Sequence, residues 1–225
     1  MGFSIPVTGQ LVRTGAERAT LVRRTYSLVL VSVFFTIAGA ALGLTQPSML
    51  EFAARHPFIM MMLTFAPLIM ASRARTQFPA NVGFVLLFTL LEGVMISPIL
   101  AYYSRNNPDL IWQSGALTLS TFGVLTAYTW ISKRDFSALG SFFVVGLWVL
   151  IGTSLLNMFF QSSMASLWIA GATVLVFSGL LIFDTWRLRN VYGPEDYVQA
   201  AVAIYLDLLN MFLAIVQLLG GGRRD

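Results

Sequence analysis

The stretch "AVAIYLDLLNMFLAIVQLLG", residues 201–220, decides how the whole chain is read. Almost every position suits lipid tails, yet Asp207 and Asn210 stand in its middle. An ionised side chain at the centre of a bilayer costs at least ~2.5–3.5 kcal/mol. Such a residue needs a partner, a water-filled cavity or a proton. Ala200, Ala203, Asp207, Asn210, Ala214 and Gln217 follow one another at intervals of three and four, which puts them on one helical stripe. That stripe must face protein or water. Its small residues let a neighbouring helix approach, and its polar ones can bond across the contact. Two readings follow: a packing seam glued by Asp207 and Asn210, or a site.

The rest of the chain agrees that the surroundings are a membrane. Of its 225 residues, 57% are hydrophobic and only 11% charged, where a soluble domain carries about a quarter charged. The apolar residues come in blocks near the ~20 residues that cross ~30 Å of hydrocarbon. Seven blocks are predicted, at about 25–45, 57–72, 82–103, 111–131, 138–160, 166–187 and 199–219. Breaks such as "TQPS", "SRNNPD", "SKRD" and "RLRNVYGPED" carry charge or helix-ending residues. The second block is the weakest, being short, with Pro67 inside it as a candidate kink. Residues 1–24 read as a cytoplasmic tail and 25–225 as one seven-helix transmembrane domain. Arg23 and Arg24 before "IAGA" imitate a signal peptide, but the long polar stretch ahead of them marks an uncleaved first span.

Basic residues orient the bundle. The tail (Arg13, Arg18, Arg23, Arg24) and the loops holding Arg73 and Arg75, Lys133 and Arg134, and Arg187 and Arg189 share one side. Arg55, Arg105, Arg223 and Arg224 fall on the other. Positive charge favours the cytoplasm, so the N-terminus is expected inside and the C-terminus outside. The net charge of +4 is thus a topology signal, and no basic run with interleaved aromatics points to nucleic acid. The chain has no cysteine and one histidine, His56, at a segment edge beside Pro57. Thiolate metal sites, disulfides and a Ser-His-Asp triad are therefore not expected.

Three carboxylates fall inside apolar blocks: Glu92, Asp184 and Asp207. Asp184 lies near a helix C-terminus, the unfavourable end of the dipole, with Arg187 three residues on as a local counter-charge. Glu195 and Asp196, behind Gly193-Pro194, are ordinary helix-start residues. Asp184 and Asp207 both belong to cytoplasmic halves of helices joined by a short connection. They can meet if the sixth helix continues past Arg189. Two apposed, desolvated carboxylates cannot both ionise cheaply, so they tend to share one proton and titrate as a unit. Such a pair suits a proton sensor or a cation ligand.

The pieces "YLDLLNMF" (205–212), "FDTWRLRN" (183–190), "SKRDFSALG" (132–140), "LLNMFF" (155–160) and "EGVMISPIL" (92–100) together resemble the transmembrane Bax inhibitor motif family, in its bacterial branch. The resemblance spans the third to seventh blocks; the first two match only in length, hydropathy and the basic end of the second. It implies an all-α bundle of seven transmembrane helices with the last helix central, in the inner membrane. It also implies a pH-sensitive calcium leak, with Asp184 and Asp207 as sensor and weak calcium site. An arginine ending the second helix would latch onto the pair; Arg75 matches best and Arg73 second. Glu92 and Asn210 would line the polar path, although Ser97-Pro98 stands where the family often has Gly-Pro.

The competing reading is a non-conducting membrane regulator of a membrane protease or of stress and cell-death factors, acting by lateral contacts within the bilayer. Enzyme activity is not expected. Intramembrane aspartyl proteases place glycine beside the catalytic aspartate, and "FDTW" and "YLDL" lack it. The single lysine, Lys133, sits in a loop, which rules out a retinal Schiff base. No tightly bound cofactor is expected, and "RRD" at the C-terminus carries no retention signal.

Overall fold

A computed structural model describes residues 15–74 and 77–221. Eight α-helices follow one another: α1 (Gly15–Thr45), α2 (Pro47–Arg55), α3 (Pro57–Arg73), α4 (Ala80–Asn106), α5 (Asp109–Ile131), α6 (Ser137–Phe160), α7 (Ser163–Asn190) and α8 (Tyr197–Gly221). No strand occurs among the described residues. The apolar blocks are the cores of these helices, which makes the chain an all-helical, multi-pass membrane protein. Helices satisfy their own backbone groups, and this is what lets them lie in hydrocarbon.

Five helices (α1, α4, α6 and α7, and α8 with its leading turn) are each long and apolar enough to cross a membrane, or six if α2 and α3 are one bent span. The expectation of seven exceeds this number by α5. Its Gln113, Ser114, Thr118, Ser120, Thr121, Thr126 and Thr129 dilute its hydropathy. The second block also differs from its reading. The chain bends by 99° between α2 and α3, at His56-Pro57, whereas α3 runs unbroken through Pro67. Proline at the first position starts both helices, where its missing N–H costs nothing. Residues 47–55, read as a break, form a short amphipathic helix with a Glu51–Arg55 ion pair (2.8 Å) on its exposed side. The first helix begins at Gly15, ahead of the apolar block, and buries Leu21 completely.

Helix α8 is the axis of the bundle. It packs against α1, α4, α5 and α7, while α3 rests on α4 and α6 on α7. Its main neighbours are thus four helices rather than the six that the resemblance implies. Ala200, Ile204, Tyr205, Asp207, Met211, Ala214 and Val216 are all buried. The buried surface therefore extends well beyond the small-residue stripe, and Gln217 at the end of that stripe is exposed. Lipid is as apolar as leucine, so packing and buried polar contacts hold such a bundle rather than expulsion from water. The closest backbone approach joins α1 and α4. A Cβ on Gly39 would collide with the Leu90 carbonyl oxygen, and one on Gly93 with that of Thr36.

Candidate functional site

The Gly193-Pro194 connection turns the chain from α7 into α8. Gly193 N–H donates to Asp196 Oδ2 at 2.8 Å, and Pro194–Asp196 form one 3-10 turn. This tight reversal makes α7 and α8 antiparallel neighbours. Helix α7 does continue past Arg189, to Asn190, and the two helix ends joined by this turn lie side by side. Asp184 and Asp207 consequently lie side by side, within hydrogen-bonding reach of each other. Asp184 is 8% exposed and Asp207 3%. Leu181, Leu188, Ile204, Leu208 and Met211 belong to the buried apolar cluster around this end of the α7–α8 seam.

Their partners are unequal. Arg187 Nη1 donates to Asp184 Oδ1 at 3.0 Å. Among the described residues no cation pairs with Asp207, and its Oδ2 is buried with no donor. A hydrogen bond between the two side chains needs a proton on one oxygen, since an ionised carboxylate only accepts. The Arg187 guanidinium also covers the rings of Tyr192, at 4.5 Å, and Phe183, at 5.5 Å. Tyr192 is 4% exposed, and its hydroxyl has no partner. It lies in the loop beyond α7, where burial, reinforced by the charge of Asp184, pushes its phenol up to about 12. Tyr192 is the residue that sequence reasoning missed. It sits in a polar loop, and nothing in its spacing marks it.

The other candidates are placed as follows. Arg75 lies outside the described residues. Arg73 is exposed at the end of α3 and makes no ion pair among the described residues. Among the described residues the counter-charge at the pair is Arg187, on the same helix as Asp184. Among the described residues Asn210 bridges no helices: its Nδ2 donates to the Leu206 carbonyl at 2.8 Å, on its own α8. A short polar side chain on a helix readily turns back to the preceding turn. Glu92 is 7% exposed on α4 and has no ion pair or hydrogen bond among the described residues. Its electrostatic neighbour is Tyr205, whose hydroxyl bonds Thr36 Oγ1 at 2.7 Å and whose ring meets Phe88 edge-on. Tyr205 and Asp207 are two residues apart, about 200° around α8. Glu92 thus belongs to the α1–α4 side of α8, and the aspartates to the α7 side.

Among the described residues no three acids or histidines converge as a metal site. Two carboxylates offer at most four oxygens where calcium takes six to eight. With water completing the shell, this pair could hold a hard cation only weakly.

Comparison with known proteins gives one consistent answer. Residues 18–224 match the family described as "Inhibitor of apoptosis-promoting Bax1". Bax inhibitor 1 of Schizosaccharomyces pombe is 32% identical over 207 residues, covering 90% of this chain and 77% of that protein. The Golgi anti-apoptotic protein of Vaccinia virus is 34% identical over 205 residues, covering 90% and 85%. Protein lifeguard 4 of Mus musculus is 31% identical over 205 residues, with the same coverages. None of these names is that of an enzyme.

Proposed function

The chain belongs to the family of inhibitors of apoptosis-promoting Bax1, and on that premise we propose that it is a pH-sensitive calcium (cation) leak channel of the inner membrane. One observation carries this reading: two carboxyl groups buried together at one end of the central helix, with one arginine paired to them among the described residues. At low pH the pair is fully protonated and has no charge to attract a cation. With one proton shared, it carries a single negative charge that Arg187 balances. Loss of that last proton leaves a dianion that must recruit a second cation. Such a site attracts calcium yet releases it, because its ligand set is incomplete. Arg73 or Arg75, at the end of α3 and just beyond it, would supply the second positive charge.

In this reading the spans are α1, the bent α2–α3 pair, α4, α5, α6, α7 and α8, with the N-terminus cytoplasmic and the C-terminus outside. Helix α5 can serve as a span because three of its hydroxyls bond within the helix, although Ser114 Oγ and Thr126 Oγ1 are buried without a partner among the described residues. Thr118, Ser120 and Thr129 donate to the Ser114, Ala116 and Leu125 carbonyls at 2.7–2.8 Å. It also packs against α4, α7 and α8, inside the bundle rather than beside it.

The test is calcium flux against pH in proteoliposomes, comparing wild type with Asp184→Asn and Asp207→Asn. Both substitutions are expected to flatten the pH dependence; a profile unchanged in both ends the sensor assignment. The printed names of the relatives favour one alternative, a non-conducting regulator that contacts partners within the bilayer. Purified protein that passes no calcium yet co-purifies with a membrane protease would establish that alternative.

A further inference from the structure

At the end of the bundle opposite the aspartates, α2 and α4 enclose a second feature. A groove of about 300 Å³ is lined by Leu50 and Ala54 of α2 and by Pro98, Ala101, Tyr102 and Arg105 of α4. The α4 residues stand at i, i+3, i+4 and i+7, one continuous helical face. Leu50 and Ala54, at i and i+4, form the facing wall. Pro98 lies ~10 Å along the helix axis from Arg105. The groove therefore changes character along its length: apolar toward the membrane interior, cationic where α4 ends. Tyr102 also lines a larger cavity with Asn107, Ser163 and Gly220, which fixes this end as that of the α4–α5 and α6–α7 turns.

The charges around the groove are unevenly committed. Arg55 is neutralised by Glu51 on the outer side of α2. Arg105 is exposed and has no ion pair or hydrogen bond among the described residues. An unpaired guanidinium presents a planar fork of donors that fits a phosphate diester. An apolar slot that begins just below it matches the layout of a phospholipid, whose acyl chain descends directly from its phosphate. The amphipathic α2 leaves α3 at 99° and carries Met49 and Phe52 on its exposed surface. That is how a helix lies when it rests in the headgroup layer.

We propose that the α2–α4 groove is a binding site for one anionic phospholipid, its headgroup phosphate held by Arg105 and one acyl chain laid between Leu50–Ala54 and Pro98–Ala101. Annular lipid meets any membrane surface, so the distinguishing property is retention with a preference for the anionic headgroup. The site is independent of the aspartate pair and of whether the protein conducts.

Native mass spectrometry of the full chain, released from micelles doped with phosphatidylglycerol or with phosphatidylcholine of the same chains, tests this. Wild type is expected to retain one phosphatidylglycerol several-fold more than one phosphatidylcholine. Arg105→Gln, at an exposed position that does not hold the fold, is expected to abolish the preference. Ala101→Leu, which narrows the slot, should lower retention of both lipids, and circular dichroism of this variant checks that it stays folded. Equal retention of the two lipids by wild type overturns the proposal. So does an unchanged preference in Arg105→Gln, or displacement of the lipid by inorganic phosphate at equal concentration, which would mark a free-anion site.

Discussion

Arg187 reaches Asp184 from one turn further along the same helix, Nη1 to Oδ1 at 3.0 Å, and among the described residues no cation pairs with Asp207. The arrangement places one positive charge against two carboxyl groups. Arg187→Gln removes it. With Asp184 almost fully buried, the loss should cost on the order of 1–3 kcal/mol, read as a lower unfolding temperature in detergent. In the double variant with Asp184→Asn the two losses should not add, because Arg187 has then already lost its carboxylate partner. Strict additivity would show that Arg187 acts elsewhere, for example through its contacts with Tyr192 and Phe183.

The juxtaposition of the aspartates was legible before any coordinates, and the reasons are local. Spacing put Asp207 on the stripe of α8, and a short connection with Gly193-Pro194 forced α7 and α8 to run back to back. The parts that escaped are those decided by tertiary packing. Asn210 has the same spacing as Asp207, yet its amide turns to the Leu206 carbonyl; periodicity states a face and not a partner. The stripe also understated burial. Ile204, Tyr205, Leu208 and Met211 are buried because four helices surround α8, and hydropathy cannot separate a lipid-facing leucine from a packed one. Residues 47–55 fall between two apolar blocks, where "TQPS" marks a break, although Glu51 and Arg55 at i, i+4 are an ordinary helical pair.

Tyr192 gives a pH dependence whose sign is fixed. Its phenol rises to about 12 in the folded protein against about 10 unfolded. The folded state therefore keeps a proton that the unfolded state loses between those values. The contribution is complete below about pH 10 and disappears as pH climbs through 12, and it is at most roughly 2–3 kcal/mol. Tyr192→Phe should resist alkaline unfolding better than wild type. Near neutral pH it should be no less stable, since the hydroxyl it lacks has no partner. Parallel alkaline unfolding curves would refute the assignment.

Arg189 closes α5. Its Nη1 donates to the carbonyls of Thr129, Trp130 and Ser132 at 2.8, 3.2 and 2.8 Å, satisfying acceptors at the helix end that have no intrahelical donor. Arg189→Gln should destabilise by about 1–3 kcal/mol, and Arg189→Lys should recover only part of it, because an ammonium lacks the planar fork. Thermal unfolding of the three proteins decides this; complete rescue by lysine would mean that charge alone matters.

The α1–α4 contact is a test of packing. Gly39→Ala and Gly93→Ala each push a methyl into the backbone of the other helix and should cost roughly 1–3 kcal/mol. Gly152→Ala, where a Cβ meets nothing within 4 Å, is the matched control and should be neutral or slightly stabilising through helix propensity. Equal effects at all three positions would show that propensity, not close approach, governs these glycines.

Glu92 can separate the proposed conducting path from the proposed sensor. It lies near Tyr205, on the α1–α4 side of α8, while Asp207 faces α7. A group across the helix from the pair cannot share its proton directly. Glu92→Gln should therefore change the size of the calcium flux by several-fold while preserving the shape of its pH profile, whereas Asp207→Asn should alter the shape. Tyr205→Phe removes the 2.7 Å bond to Thr36, a loss of about 0.6–2 kcal/mol on membrane scales, and serves as the structural control for the same seam. If Glu92→Gln flattens the pH profile as Asp207→Asn does, the two sides of α8 work as one titrating unit. If it leaves both size and shape untouched, the conducting route follows the α7–α8 seam alone.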